Sequence, residues 1–294
     1  MTVPSNAGVE PAERPDQVAV VGGGRMGAGI AQVFAALGST VVIAESGDRQ
    51  AALGRVSTGL DRAHERGKLS EDPAAILARV STVAGPAELP AELDLIVEAV
   101  PEIPSLKVEV LALVDTIAGP DTVVASNTSS ISIAELGAAL SDPSRFIGMH
   151  FFNPVPASTL VEIVRAPATS ADVLERVRTW VSLLGKTEVL VNDSPGFATS
   201  RLGVCLGLEA IRMLEEGVAD AESIDRAMEL GYKHPMGPLR STDLVGLDVR
   251  LAIAEHLAST LGDRFTPPQL LREMVARGDI GRKSGRGFHD WTNA

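Results

Sequence analysis

Of five histidines (64, 150, 234, 256, 289), only His150 falls where a strand should end beside a bound ligand: it closes the apolar run Arg145–Met149 and opens His150-Phe151-Phe152-Asn153-Pro154. Imidazole titrates near neutral pH, which suits it to exchange a hydroxyl proton while a hydride moves between an alcohol and a ketone. Such a ring needs an orienting partner. If the two apolar strands flanking residues 152–159 pair as a hairpin, Glu162 comes beside His150, where a carboxylate would fix the tautomer and stabilise the imidazolium. The bland alternative is a core histidine with Glu162 facing solvent, the ordinary fate of a lone histidine. A cofactor motif on the same sheet decides against it. No His/Cys/Asp/Glu cluster has ligand spacing, so no metal is expected. Ser129 lacks a Gly-x-Ser-x-Gly elbow and is not read as a nucleophile.

The cofactor motif follows the run Val18–Val21: Gly22-Gly23-Gly24-Arg25-Met26-Gly27 stands between a strand and an apolar helix. Gly22 permits a tight turn, Gly24 lets a pyrophosphate approach the backbone and Gly27 allows close helix packing, with Met26 in the same turn. The helix N-terminus adds unpaired N–H groups for the phosphates. A second strand, Thr40–Ala44, ends at Glu45, 18 residues after Gly27, where a carboxylate accepts hydrogen bonds from ribose hydroxyls. Glu45 would repel a 2′-phosphate, so NAD is expected over NADP; Arg25 and Arg49 pull the other way.

These residues need a scaffold, and the chain alternates short Val/Ile-rich runs with helix-like stretches from Gln17 to about Val191. The runs are Val18–Val21, Thr40–Ala44, Leu93–Val100, Thr122–Ala125, Arg145–Phe151, Leu160–Val164 and Thr187–Val191. Helical spacing marks Ala28–Leu37, Arg49–Arg66, Leu106–Ile117 and Ala171–Leu184. The pattern is α/β, a Rossmann-type doubly wound, mostly parallel sheet over residues 16–192. Beyond it, Ser194 and Pro195 read as a helix start, and helices over Phe197–Glu216, Ala221–Leu230, Asp243–Thr260 and Pro268–Arg277 make residues 193–294 an all-helical C-terminal domain. Residues 1–15, with three prolines and no apolar core, read as a disordered tail rather than a signal peptide.

With 45% hydrophobic and 22% charged residues the composition is globular, and at 3% aromatic the core must be aliphatic. A net charge of −12 excludes a nucleic-acid scaffold. No run approaches a membrane span. The lone Cys205 reads as a buried packing residue and suits a reducing, cytoplasmic compartment.

The stretches Val20–Gly29, Ser126–Ser130, His150–Pro156, Leu160–Ile163, Asp193–Phe197, Met236-Gly237-Pro238, Asp243–Asp248 and Gly281–Phe288 resemble the L-3-hydroxyacyl-CoA dehydrogenase family, and within it the bacterial 3-hydroxybutyryl-CoA dehydrogenases. The resemblance implies reversible NAD-dependent oxidation of a (3S)-3-hydroxyacyl-CoA, with His150 as acid/base, Glu162 its partner and Ser129 a hydroxyl donor near substrate and nicotinamide. It further implies cofactor contacts from Glu45, Glu102, Lys107, Asn153 and Lys283, and a coenzyme A contact from Lys68. The family's asparagine after Pro-Gly-Phe is replaced here by Ser200, which is shorter but still a donor. Arg55, Arg62, His64, Arg66 and Lys68 cluster on one helix and its end, a basic handle for a phosphorylated adenosine, although a solvated helix face reads the same way. A homodimer is expected, with the stripe Leu202, Leu206, Leu208, Ile211 and Leu214 either its interface or internal core. Two other readings keep the fold: oxidation of a free hydroxy acid or sugar acid, and a non-catalytic NAD-sensing protein.

Overall fold

Buried, aliphatic strands set the frame. The computed structural model describes residues 14–292, and its contacts divide the chain into two compact units, Met1–Asp193 and Ser194–Ala294. In chain order the first unit comprises β1 (Gln17–Val21), α1 (Arg25–Leu37), β2 (Thr40–Ala44), α2 (Arg49–Glu65), α3 (Pro73–Leu77), β3 (Val80–Val83), β4 (Leu95–Glu98) and α4 (Pro104–Asp115). It continues through β5 (Val123–Ser126), α5 (Ile133–Gly137), β6 (Phe146–Phe151), β7 (Leu160–Arg165), α6 (Ala171–Leu183) and β8 (Thr187–Asn192).

The strands form one sheet in the order β3-β2-β1-β4-β5-β6-β7-β8, parallel except where β6 meets β7. The order reverses between β1 and β4, which opens a crevice past their carboxyl ends, the place where such sheets take ligands. Full burial of β1, β4, β5 and β6 explains their unbroken apolar runs: Val18, Val20, Leu95, Val97, Val123 and Ile147 are all inaccessible and share one core with Phe34 and Ile43.

Three short elements escape the sequence reading, the five-residue α5 and two more. α3 spans five residues and β3 four, and β3 is an edge strand that buries only Val80, so neither offers a full period to detect. The expected tail over residues 1–15 lies outside the described residues except for Arg14 and Pro15. Pro15 is buried and its carbonyl accepts a 2.6 Å hydrogen bond from Ser39 Oγ, so this residue packs with the first unit and is no part of a free tail.

The second unit holds α7 (Thr199–Glu215), α8 (Ala221–Gly231), α9 (Pro238–Val245), α10 (Leu247–Leu261) and α11 (Gln269–Arg277), with two isolated bridges joining Gly281, Arg286 and Asp290. Ser194 does not cap α7: residues 194–197 form a turn with Gly196 at φ 73° and Phe197 at φ 51°, and the helix starts at Thr199. The single helix expected over Asp243–Thr260 is two, broken at Gly246, whose φ of 103° and ψ of 130° suit glycine alone. The α7 stripe is mostly internal. Leu208 and Ile211 are inaccessible within their own unit's core and Leu214 packs on it, while Leu202 stays 69% exposed. Cys205, expected to be buried, is exposed, because it shares the outer face of α7 with Leu202 and Glu209.

Candidate active site

The glycine turn is pressed against β4. A Cβ on Gly22, at φ 101°, would lie 2.8 Å from Ala99 O, and one on Gly27 would overlap Gly22 O, so the first and last glycines are demanded by packing. Gly24 differs: a Cβ there meets nothing within 4 Å. It precedes an α1 N-terminus that has neither a side-chain cap nor an acidic residue in its first turn, with Arg25 and Met26 following. Uncapped N–H groups facing open space fit a pyrophosphate. Glu45, at the end of β2, accepts 2.7 Å hydrogen bonds from the amides of Gly23 and Gly47, and Arg55 Nη1 reaches Gly23 O at 3.1 Å. The acidic residue and the glycine turn are therefore braced against each other, and the donor set matches a dinucleotide with free ribose hydroxyls.

Past β4 lies a polar network of which the sequence disclosed only part. Glu98, inaccessible at the strand's end, accepts 2.7 Å hydrogen bonds from Lys107 Nζ and Val100 N and one of 2.5 Å from Ser126 Oγ. Lys107, expected as a direct cofactor contact, is only 1% exposed, held between Glu98 and, at 3.3 Å, Glu102. What this lysine presents at the sheet edge is Glu102. One oxygen of Glu102 accepts from Thr128 Oγ1 at 2.6 Å and from the amide and hydroxyl of Ser129 at 2.8 and 3.1 Å. Burial pushes the Glu102 carboxyl up, but Lys107, the Thr128 hydroxyl and the Ser129 amide outweigh it and hold it below the usual carboxylate range.

The hairpin supposed from sequence exists. In the antiparallel β6–β7 ladder His150 stands opposite Glu162, and Nδ1 lies 2.9 Å from Oε2, with the ring 7% exposed and the carboxylate inaccessible. An Nδ1–H donated to a carboxylate leaves the lone pair of the neutral ring on Nε2. Phe152 packs against the imidazole at a ring distance of 4.4 Å, and Asn127 Oδ1 accepts the Phe151 amide at 2.9 Å, pinning the end of β6 to the loop after β5. Lys186 clasps the loop after β6, donating to Val155 O at 2.7 Å and Ser158 O at 2.5 Å. Asn127 falls inside the Ser126–Ser130 stretch without being singled out there, and Lys186 carries no motif that announces such a role.

A cleft of about 1210 Å³ runs beside that loop. Arg55, Arg62, Arg66 and Lys68 line it from α2 and its end, Arg25 from α1, and Asn153 from the loop, while His64 is not among its walls. The cluster is solvent-exposed, and four of its five basic residues border this open cleft. In the second unit Ser200 sits half-buried in the first turn of α7, and Lys283 pairs with Asp248 at 2.6 Å.

Residues 17–194 match the family described as 3-hydroxyacyl-CoA dehydrogenase, NAD binding domain, and residues 196–291 its C-terminal domain. The chain belongs to the 3-hydroxyacyl-CoA dehydrogenase family. A probable 3-hydroxybutyryl-CoA dehydrogenase of Deinococcus radiodurans is 42% identical over 92% of this chain and 99% of its own. Mitochondrial hydroxyacyl-coenzyme A dehydrogenase of Sus scrofa is 40% identical over 93% and 90%. The crystal structure of (S)-3-hydroxybutyryl-CoA dehydrogenase from Ralstonia eutropha superposes with a TM-score of 0.88 at 43% identity, covering 94% of this chain and 99% of that one. As a 3-hydroxyacyl-CoA dehydrogenase family member with an NAD-binding domain, the chain uses NAD.

Proposed function

We propose that the protein oxidises (3S)-3-hydroxyacyl-CoA thioesters, hydroxybutyryl-CoA among them, reversibly to 3-oxoacyl-CoA. The observation that carries this reading is the buried His150–Glu162 pair at 2.9 Å, on the same sheet as an uncapped glycine turn. NAD, when bound, supplies the two-electron acceptor for the hydride from C3. His150 Nε2 takes the C3 hydroxyl proton, and Glu162 offsets the charge that develops on the ring. Ser129 keeps its amide on Glu102 and turns its single hydroxyl hydrogen from Glu102 to the substrate oxygen. Glu45, Glu102, Asn153 and Lys283 hold the cofactor, with Lys107 setting Glu102. Arg62 and Lys68 hold the coenzyme A phosphates in the basic cleft, and Ser200 serves where relatives carry asparagine.

His150→Gln is expected to lower kcat for acetoacetyl-CoA reduction by about 10²- to 10⁴-fold while NADH still binds, followed by fluorescence. Unchanged turnover would end the mechanism. Comparing acetoacetyl-CoA with free acetoacetate separates this activity from that of a free hydroxy-acid dehydrogenase, and the basic cleft supports the thioester. In the same reading the protein is a cytoplasmic homodimer, supported by exposed Leu202, Val245 and Val249 on the second unit. Sedimentation velocity tests the dimer. Among the described residues no helix is long and apolar enough to cross a membrane.

A further inference from the structure

The cleft beside the loop after β6 has an amide in its wall that the fold leaves unpaired. Gln32 is 4% exposed, lines the cleft from α1 and makes no side-chain hydrogen bond with any described residue. A buried amide with neither its donor nor its acceptor engaged is unfavourable unless something completes it. Gly59, on the facing turn of α2, makes the room: a Cβ there would lie 2.1 Å from Gln32 Oε1. A glycine inside a helix weakens it, and here that loss keeps the amide in place. Gly54 also lines the cleft, and a Cβ there would meet no protein atom within 4 Å, so packing does not account for this second glycine.

The neighbours of this amide fix what it can meet. Arg25, Gly29 and Gln32 follow one another on α1 at spacings of four and three, so they share the face that borders the cleft. A Cβ on Gly29 would lie 2.9 Å from Val155 Cβ, so the loop after β6 closes onto α1 one turn before Gln32. On α2, Arg62 borders the cleft one turn past Gly59, about 4.5 Å along the axis at the helical rise. Gln32 is thus one turn from the point where the loop that follows His150 meets α1, and it faces α2 one turn from a cation assigned above to a coenzyme A phosphate. In coenzyme A the next amide along the arm, the pantoyl amide, is separated from the phosphate by three carbons.

We propose that Gln32 is a specificity-determining residue for the arm of the thioester, its side-chain amide exchanging hydrogen bonds with the pantoyl amide of the substrate. A primary amide holds donor and acceptor together and so matches a secondary amide, which presents one N–H and one C=O; the cations of the cleft read only charge. Gly59 serves the same recognition by leaving that amide its place. The inference deepens the thioester reading and rests on it, and it is tested by binding as well as by turnover.

The test compares kcat/KM with NADH for acetoacetyl-pantetheine, which has the pantoyl amide and no phosphate, and for acetoacetyl-N-acetylcysteamine, which keeps only the amide nearest the sulfur. The ratio of the two is expected to fall about three- to tenfold in Gln32→Met, which keeps the length of the side chain and loses its amide, with the loss in KM rather than kcat. Gly59→Ala drives a methyl into the place of the amide while favouring the helix, so it should lower the ratio too and add little once Gln32→Met is present. Calorimetric titration with coenzyme A itself should show the same fall in affinity without turnover. A ratio that Gln32→Met leaves unchanged overturns the inference; should that variant fail to fold, an unchanged ratio in Gly59→Ala does so. If no 3-oxoacyl thioester is reduced, the dehydrogenase reading falls, and the coenzyme A titration then decides this inference alone: undiminished affinity in Gln32→Met or, failing that, Gly59→Ala overturns it.

Discussion

Glu98 acts by what it does to Lys107. Two opposite charges sealed in a strand end are stable only as a pair, so Glu98→Gln should destabilise the protein by about 3–5 kcal/mol in urea unfolding, whereas Glu98→Gln with Lys107→Met should recover much of that loss. Glu102 answers to pH. Its folded-state pKa is depressed, so the stability it contributes is fully present above the unfolded carboxylate pKa near about 4.3 and disappears as pH falls through the folded value. The stability gap between wild type and Glu102→Gln, followed by acid-range thermal melts, should therefore close on acidification below about pH 4. His150 and Glu162 were legible because an imidazole at a strand end and a carboxylate in the next strand leave one hairpin register to bring them together. Glu98 was not, since a single acid in Leu-Ile-Val-Glu looks like the point where a strand meets water, when it is in fact inaccessible.

The elements that sequence misjudged are those governed by one residue's backbone or by distant partners. Helical periodicity runs through Gly246 without interruption, yet its left-side φ separates α9 from α10, and a Cβ there would lie 2.9 Å from Asp248 Oδ1. Gly246→Ala should lower stability by about 1–3 kcal/mol, measured by chemical denaturation, where a mid-helix glycine would instead gain from alanine. The loop after β6 is held by Lys186, whose pKa is lowered by partial burial while its ammonium caps two carbonyls. Lys186→Met should raise KM for acyl-CoA more than it lowers kcat in steady-state kinetics, because it frees the wall that carries Asn153 and Val155 without touching the imidazole. Most of the seven apolar runs were legible as strands because burial leaves little polar alternation to confuse them, whereas β8, with Val189 38% and Leu190 46% exposed, was legible from its β-branched composition.

At the scale of the molecule, charge is distributed against its total. A chain of net charge −12 collects Arg25, Arg55, Arg62, Arg66 and Lys68 around one cleft, so approach of an anionic thioester depends on a local field within an opposing one. KM for acyl-CoA should therefore climb with ionic strength, and Lys68→Ala should raise it roughly two- to fivefold while flattening that dependence, read from initial rates across a salt series. The division into a sheet unit and a helical unit was legible from where the strand signals stop. The α7 stripe was not, because an apolar face reads alike whether its own domain or another chain covers it, and most of this one is covered from within.

Because His150 and Glu162 are cross-strand partners, their meeting is encoded by ladder parity and is indifferent to the length of chain between them. The length of the intervening loop is limited instead by Lys186, which holds the carbonyls of both Val155 and Ser158, whereas one residue inserted within either strand would turn His150 or Glu162 to the opposite side of the sheet.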